Sequence, residues 1–326
     1  MTKPAILSGV QPSGKLHIGN YLGALSNFIE LQNSGKYQCY YCIVDLHSLT
    51  QDFEPKEKRG QILELAADFL AAGLDSKEST IFIQSHVPEH TELSWIFSTI
   101  TPMAELNRMT QYKDKSERQA SNINAGLFTY PILQAADILC YKPYAVPVGV
   151  DQKQHLELAN TIVKKFNHKF GETFTEIKPL WTKFPKVMDL KRPDKKMSKS
   201  DPAGCVFLDD SPAEIKAKVA KAVTATGSGN KSPGEENLML LLSHFGKKDE
   251  ISYFEEKQKF GNLQYSELKE ALANNIAEFF ADFREKKKQL LSRPEHLAQI
   301  LGEGASKAQK VAHETLIEVK QKIGLL

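Results

Sequence analysis

The chain has 326 residues, 42 lysines and arginines against 40 aspartates and glutamates for a net charge of +2, and 41% hydrophobic content. That balance fits a folded, soluble protein and lacks the strongly basic footprint of a nonspecific DNA binder. Four cysteines are too few for a disulfide framework, no apolar run approaches a membrane span, and the length predicts two domains.

Ala5-Ile6-Leu7 reads as a short buried strand, too short for a signal peptide, so a cytoplasmic location is expected. It runs into Gly9-Val10-Gln11-Pro12-Ser13-Gly14-Lys15-Leu16-His17-Ile18-Gly19-Asn20. Ile18, Leu22, Leu25 and Ile29 recur at helical spacing, which starts a helix near Gly19. Tyr40 to Val44 is a second strand; Cys39 and Cys42 both lie in the apolar run Cys39 to Val44 and read as strand packing, since no second close cysteine pair completes a zinc site. Ile62, Ala66, Phe69 and Gly73 mark a helix, and Ile81-Phe82-Ile83 a third strand. This alternation predicts a parallel sheet covered on both faces.

Residues 102–185 are less regular and read as an inserted segment: a charged stretch from Tyr112 to Arg118, an apolar helix over 124–141, then the strand Ala145 to Gly149 opening onto a helix from Gln152 to Phe166. Val187-Met188 is expected to return to the sheet before a lysine-rich loop near residue 196. Beyond Asp210 only helical patterns remain, with one apolar stripe at Leu268, Leu272, Ile276, Phe279 and Phe283 and another at Val311, Thr315, Val319 and Ile323. Thr226 to Gly234 is a loop by composition. The expected architecture is α/β: a parallel-sheet nucleotide domain over 1–208, then a helical domain over 209–326. Lys286-Lys287-Lys288, with Arg284 and Arg293, is a candidate RNA surface or a solvated helix face. His86-Val-Pro-Glu-His90 is a poor metal pair, because Pro88 disfavours the helix that would align the two rings.

The glycine-rich stretch after the first strand admits three readings. A P-loop has the spacing Gly9-x-x-x-x-Gly14-Lys15, but Leu16 stands where that motif needs Ser or Thr. A different nucleotide site would use backbone N–H groups at the helix start, approached closely past Gly9, Gly14 and Gly19. A turn without a ligand is the third.

Taken with the distant Lys196-Met197-Ser198-Lys199-Ser200, the segment His17-Ile18-Gly19-Asn20 resembles the paired signature of class I aminoacyl-tRNA synthetases. Gln11-Pro12-Ser13-Gly14, Cys42-Ile43-Val44-Asp45, Arg108 to Lys113, Ala135-Ala136-Asp137-Ile138-Leu139 and Val148 to His155 are similar to the bacterial tryptophan-specific branch. Gly304-Ala305-Ser306-Lys307-Ala308 is a fainter similarity near the C-terminus.

The resemblance implies activation of L-tryptophan with ATP, then transfer to tRNA(Trp), with a Rossmann-type parallel-sheet nucleotide-binding catalytic domain over 1–208 and a helical tRNA (anticodon)-binding domain over 209–326. It implies a homodimer, with Mg²⁺ carried on the nucleotide and no metal-ligating residues assigned. By resemblance Gln11, Pro12, Ser13, Gly19, Asn20, Gly149, Val150, Asp151 and Val187 line the ATP site, together with Lys196, Met197, Ser198, Lys199 and Ser200. Lys196 and Lys199 would meet the β- and γ-phosphates, assisted by Ser198 and Asn20. Lys113 and Lys115 fall where the family has a further phosphate-binding segment.

Asp137 would accept the indole N–H, and Tyr130 and Gln152 would bind the α-amino group. Leu7, His47, Gln134, Val146 and Val148 would surround the ring, with ordinary core packing the competing reading for the apolar three. Leu46, Gln134 and Val150 depart from the familiar pattern, and Tyr130-x-x-x-Gln134-x-x-Asp137 also resembles tyrosyl enzymes. A tyrosine-specific synthetase, a P-loop NTPase, and a tRNA-binding regulator that has lost catalysis are the alternatives.

Overall fold

The computed structural model describes residues 3–110, 122–182, 184–224 and 232–326. Its strands are β1 (Ala5–Val10), β2 (Gln38–Ile43), β3 (Ser79–Ile83), β4 (Ala145–Val148) and β5 (Lys178–Trp181). Its helices of use below are α1 (Ile18–Asn20), α2 (Ser26–Asn33), α3 (Pro55–Ala72), α4 (Glu89–Ser98), α5 (Met103–Asn107), α6 (Ala125–Leu139), α7 (Lys153–Phe170), α8 (Pro212–Ala220), α9 (Pro233–Phe245), α10 (Lys248–Lys259), α11 (Tyr265–Phe279), α12 (Ala281–Leu291) and α13 (Pro294–Ile323). None of these helices is long and apolar enough to cross a membrane.

Packing divides the chain into two units. The first comprises Met1–Ser13, Asn27–Thr182 and Leu290–Leu326; the second comprises Gly14–Ser26 and Lys183–Gln289. Residue 208 lies inside the second unit, and the sheet unit takes in Leu290–Leu326 with α13.

The first unit holds a five-stranded parallel sheet in the order β3-β2-β1-β4-β5. Ile6 on β1 stands level with Cys39 on β2 and Ala145 on β4. The strands are apolar runs because helices cover both faces, as parallel sheets require. Cys39 and Cys42 lie three residues apart on β2, so they point to opposite faces, and both are buried as packing groups.

The last strand of the sheet is not Val187-Met188 but β5, a short segment that carries Pro179 and a charged lysine at the sheet edge, where a missing N–H is tolerated. A core cluster joins Leu7, Tyr40, Phe82, Phe97 and Phe166 to Ala305, Ala308, Ala312 and Leu316 of α13. The small residues let α13 approach β3 backbone to backbone: a Cβ on Gly304 would overlap the carbonyl of Ile81.

In the second unit, the first turn α1 passes through a π-helical turn, Tyr21–Leu25, before α2 begins. The expected stripe from Leu268 to Phe283 is shared by two helices, α11 and α12, with Phe280 closing the first. Tyr21 packs edge-on against Phe280 at 5.1 Å, and Phe245 against Phe279 at 5.0 Å. The expected loop 226–234 lies largely outside the described residues.

Candidate active site

In the second unit the glycine-rich segment leaves the sheet through Gly14, whose φ of +93° suits glycine and little else. Residues 16–18 then pair antiparallel with 206–208. Ile18 N–H donates to Val206 O at 3.0 Å, and Leu208 N–H donates to Leu16 O at 3.0 Å. Leu16 is buried in that pairing. No helix follows Lys15 directly, so the P-loop geometry is not formed.

His17 caps α1: its Nδ1 accepts from Asn20 N–H at 3.3 Å, and Asn20 Oδ1 accepts from His17 N–H at 3.1 Å. Asn20, expected among the ATP-site groups, thus directs its side-chain oxygen at the chain entering the helix. A Cβ on Gly19 would lie 3.0 Å from the His17 ring and 3.5 Å from Val187 Cβ, so Gly19, His17 and Val187 converge.

The lysine loop is a ribbon held at its base. Met188 bridges Lys196 in antiparallel fashion, Asp189 N–H donates to Lys195 O at 2.8 Å, and Met197 N–H donates to Val187 O at 3.0 Å. Asn237 on α9 closes the other edge of Met188, accepting its N–H at 2.9 Å and donating to its carbonyl at 3.0 Å. The Asp189 carboxylate accepts from Lys191 and Arg192 N–H, both at 2.9 Å, which turns the chain.

Met197 is buried and anchors the ribbon, while Ser198 and Ser200 sit with their hydroxyls 3.0 Å apart. Lys199 Nζ donates to the Gly14 carbonyl at 2.9 Å. The two motif segments, 185 residues apart in sequence at this contact, therefore meet within one unit.

Lys15 and the buried Lys287 of α12 share one oxygen of Asp209 at 3.0 and 3.2 Å. Lys287 is therefore not a free member of the basic run 286–288. Asp209, Asn237 and Lys287 are absent from the sequence-derived site, since no local pattern marks a contact made across the fold.

Burial, and then the charges of Lys199 and Lys196, push the His17 imidazole down from 6.5 to about 4. The unfolded chain therefore binds more protons than the folded one in that window. Stability is intact above about pH 6.5 and falls as the pH drops toward 4. His17→Asn keeps a capping acceptor and removes the titration. Thermal melts of this variant are expected to show a shallower pH dependence between 6.5 and 4 than the parent; superimposable profiles would rule the assignment out.

The first unit gathers most of the expected amino-acid pocket. Asn124 caps α6 by accepting Leu127 N–H at 2.9 Å, which sets the helix so that Tyr130, Gln134 and Asp137 follow at intervals of four and three. Asp137 is buried. His47 Nε2 donates to its Oδ2 at 2.8 Å, Gln84 Nε2 donates to both oxygens at 2.8 Å, and His90 Nδ1 lies 2.9 Å from Oδ1. Burial alone would raise this carboxyl, but the hydrogen bonds and electrostatic attraction of His47 and His90 outweigh it and hold the group well below the usual carboxylate range.

The Tyr130 ring meets His47 edge-on at 6.0 Å, and its hydroxyl is 2.9 Å from His155 Nε2. Gln134 Nε2 donates to Gln152 Oε1 at 3.3 Å, and Gln152 Nε2 donates to Asp151 at 2.9 Å. Leu7 and Val146 belong to the core cluster, with Val148 packed against it.

Gln11, Pro12 and Ser13 form the turn after β1, with Ser13 N–H donating to Gln11 O at 2.9 Å. Gly149 begins the turn after β4; its backbone lies so close to Asp151 that an added Cβ would stand 2.6 Å from Oδ1, and Val150 points outward, 69% exposed. Gln84 and His90 were not among the expected site residues. His90 lies on α4, with Pro88 at its cap, and faces Asp137 and Tyr141. Lys113 and Lys115 lie outside the described residues.

The model of the class I tRNA synthetases for tryptophan and tyrosine matches residues 1–281. The Tryptophan--tRNA ligase of Caldanaerobacter subterraneus subsp. tengcongensis is 46% identical, over 98% of each chain. A tryptophanyl-tRNA synthetase from Campylobacter jejuni, crystallised with ADP and tryptophan, superposes with a TM-score of 0.85 at 34% identity, over 98% of this chain and 99% of that one. The enzyme from Mycoplasma pneumoniae gives 0.88 at 33% identity, over 99% of this chain and 98% of that one. The chain belongs to the class I aminoacyl-tRNA synthetases for tryptophan and tyrosine, in the tryptophan–tRNA ligase family.

Proposed function

We propose that the chain activates L-tryptophan with ATP and transfers the tryptophanyl group to the 3′ end of tRNA(Trp). The observation that carries this reading is that the lysine signature reaches the glycine-rich stretch leading into His17 to Asn20, Lys199 donating to the Gly14 carbonyl, while the His17 of the other signature is a histidine whose protonation burial and the lysines oppose. A field that disfavours one more positive charge favours a polyanion.

The tryptophan carboxylate attacks the α-phosphorus and pyrophosphate leaves; the tRNA ribose then takes the acyl group. Neither step needs a protein nucleophile, so catalysis rests on placement and on cations at the phosphoryl oxygens. Lys196 and Lys199 supply the cations, Ser198 and Ser200 hydroxyl donors, and Gly19, Asn20, Val187 and Met197 shape the nucleotide's surroundings. By their resemblance Gln11, Pro12, Ser13, Gly149, Val150 and Asp151 serve ATP as well, Asp151 as a ribose-hydroxyl acceptor. Lysines and hydroxyls are a poor donor set for a divalent ion, so Mg²⁺ enters bound to the triphosphate.

Asp137 accepts the indole N–H. Tyr130 and Gln152 take the α-amino group, and His47, Gln134, Leu7, Val146 and Val148 bound the ring. Lys286 and Lys288, exposed on α12, are available to RNA. A cytoplasmic homodimer completes the reading, with Trp95 at 73% and Met103 at 63% exposure as apolar surface for a second copy.

ATP–pyrophosphate exchange with each amino acid offered singly tests it. Exchange with tryptophan is expected; exchange with tyrosine alone selects the sister activity, and none with any amino acid overturns the reading.

A further inference from the structure

Asp137 also has a close neighbour that the proposed reading does not assign to the substrate. His90, fully buried on α4, stands between two groups: Nδ1 is 2.9 Å from Asp137 Oδ1, and Nε2 is 2.7 Å from the Tyr141 hydroxyl. A nitrogen lone pair that close to a carboxylate is repulsive, so Nδ1 carries the proton. In the Nδ1–H tautomer the lone pair lies at Nε2, and the Tyr141 O–H donates to it.

Tyr141 suits that duty. It is buried against Tyr40 at 4.8 Å and Phe82 at 5.7 Å, and burial together with nearby acidic groups pushes its hydroxyl far up, which keeps its proton in place. The Tyr141 hydroxyl is hydrogen-bonded to the imidazole, and the Nδ1 side of the ring faces the carboxylate as a close electrostatic contact, not an aligned hydrogen bond.

We infer that Tyr141 and His90 are positioning residues that keep Asp137 an acceptor-only anion, and so set the preference for an indole ring over a ring of the same shape without an N–H. This rests on the proposed role of Asp137 as the indole acceptor. Loss of the Tyr141 hydroxyl leaves the buried Nε2 lone pair without its donor, so the ring is held less firmly in the Nδ1–H tautomer and its contact with Oδ1 loosens. A ligand that donates nothing to Asp137 does not register that change.

The test compares kcat/KM for tryptophan with that for β-(3-benzothienyl)alanine, in which sulfur replaces the ring N–H. Both are measured by pyrophosphate exchange on the same sample, so the folded fraction cancels. In Tyr141→Phe the tryptophan preference is expected to fall about tenfold, through tryptophan KM, with the benzothienyl value within about twofold of the parent. His90→Leu should lose at least as much, and His90→Asn, whose amide N–H reaches toward the place of Nδ1–H, should recover most of it.

An unchanged preference in both Tyr141→Phe and His90→Leu, or equal losses for both substrates, overturns the inference while leaving the Asp137 reading intact. A parent protein that activates tryptophan without preferring it to the sulfur analogue removes the Asp137 reading itself, and the inference with it.

Discussion

Lys199→Ala lowers the rate of adenylate formation by about two to three orders of magnitude while leaving tryptophan affinity nearly unchanged. The size follows from the loss of one preorganised cation at developing phosphoryl charge, where a single donor is commonly worth about 10²–10³ in rate. The selectivity follows from the architecture: Lys199 lies in the second packing unit, whereas the Asp137 pocket is built wholly within the first. Single-turnover adenylate formation gives the rate, and calorimetric titration of tryptophan without nucleotide gives the affinity. Equal losses in both would mean that the lysine supports folding and not chemistry. Lys199→Arg is a useful companion, since it keeps the charge and a donor toward the Gly14 carbonyl but changes the reach.

Gly304→Ala destabilises the sheet unit by about 2–4 kcal/mol, the cost of forcing a side chain into a filled core where the backbone must yield. The obstacle is the backbone carbonyl of Ile81 on β3, with the Ile81 carbonyl carbon next nearest, and neither can rotate away as a side-chain end would. The same substitution two residues earlier provides the control. A Cβ on Gly302 meets nothing within 4 Å, so Gly302→Ala should be neutral or stabilising by about 1 kcal/mol through helix propensity. Urea midpoints for the two variants should move in opposite directions. Midpoints that move together would show that α13 can shift off β3 at little cost.

The sheet was legible in the sequence where strands are buried on both faces. Ala5-Ile6-Leu7, Tyr40 to Val44, Ile81 to Ile83 and Ala145 to Gly149 all announce β1 to β4 by uninterrupted apolar character. β5 hides because an edge strand needs no such run, and Pro179 suggests a break. Val187 and Met188 look like a strand because they do pair, but with Lys196, Met197 and the Asn237 amide instead of the sheet. Helical period revealed α13 without revealing its partner, since Gly304, Ala308 and Ala312 are as ordinary in a helical domain as against a strand.

The same distinction separates the two halves of the site. The signature residues are contiguous in sequence and were readable. The groups that hold them are not: Asn237 reaches Met188 across 49 residues, Lys287 reaches Asp209 across 78, and Gln84 reaches Asp137 across 53. Each of these partners is a polar residue on an element whose pattern otherwise speaks only of helix or turn. His47 and Asp137 were both expected, but the direct hydrogen bond between them became visible only with the backbone in place.

The first packing unit is assembled from three stretches of chain, and its last, Leu290–Leu326, carries the helix that covers β3. On the ribosome that stretch is synthesised after Lys183–Gln289, so β3 waits without α13 while the whole of that segment is being made. A nascent chain stalled before residue 290 would present an apolar strand to any chaperone within reach, and the emergence of α13 is the moment at which that exposure ends.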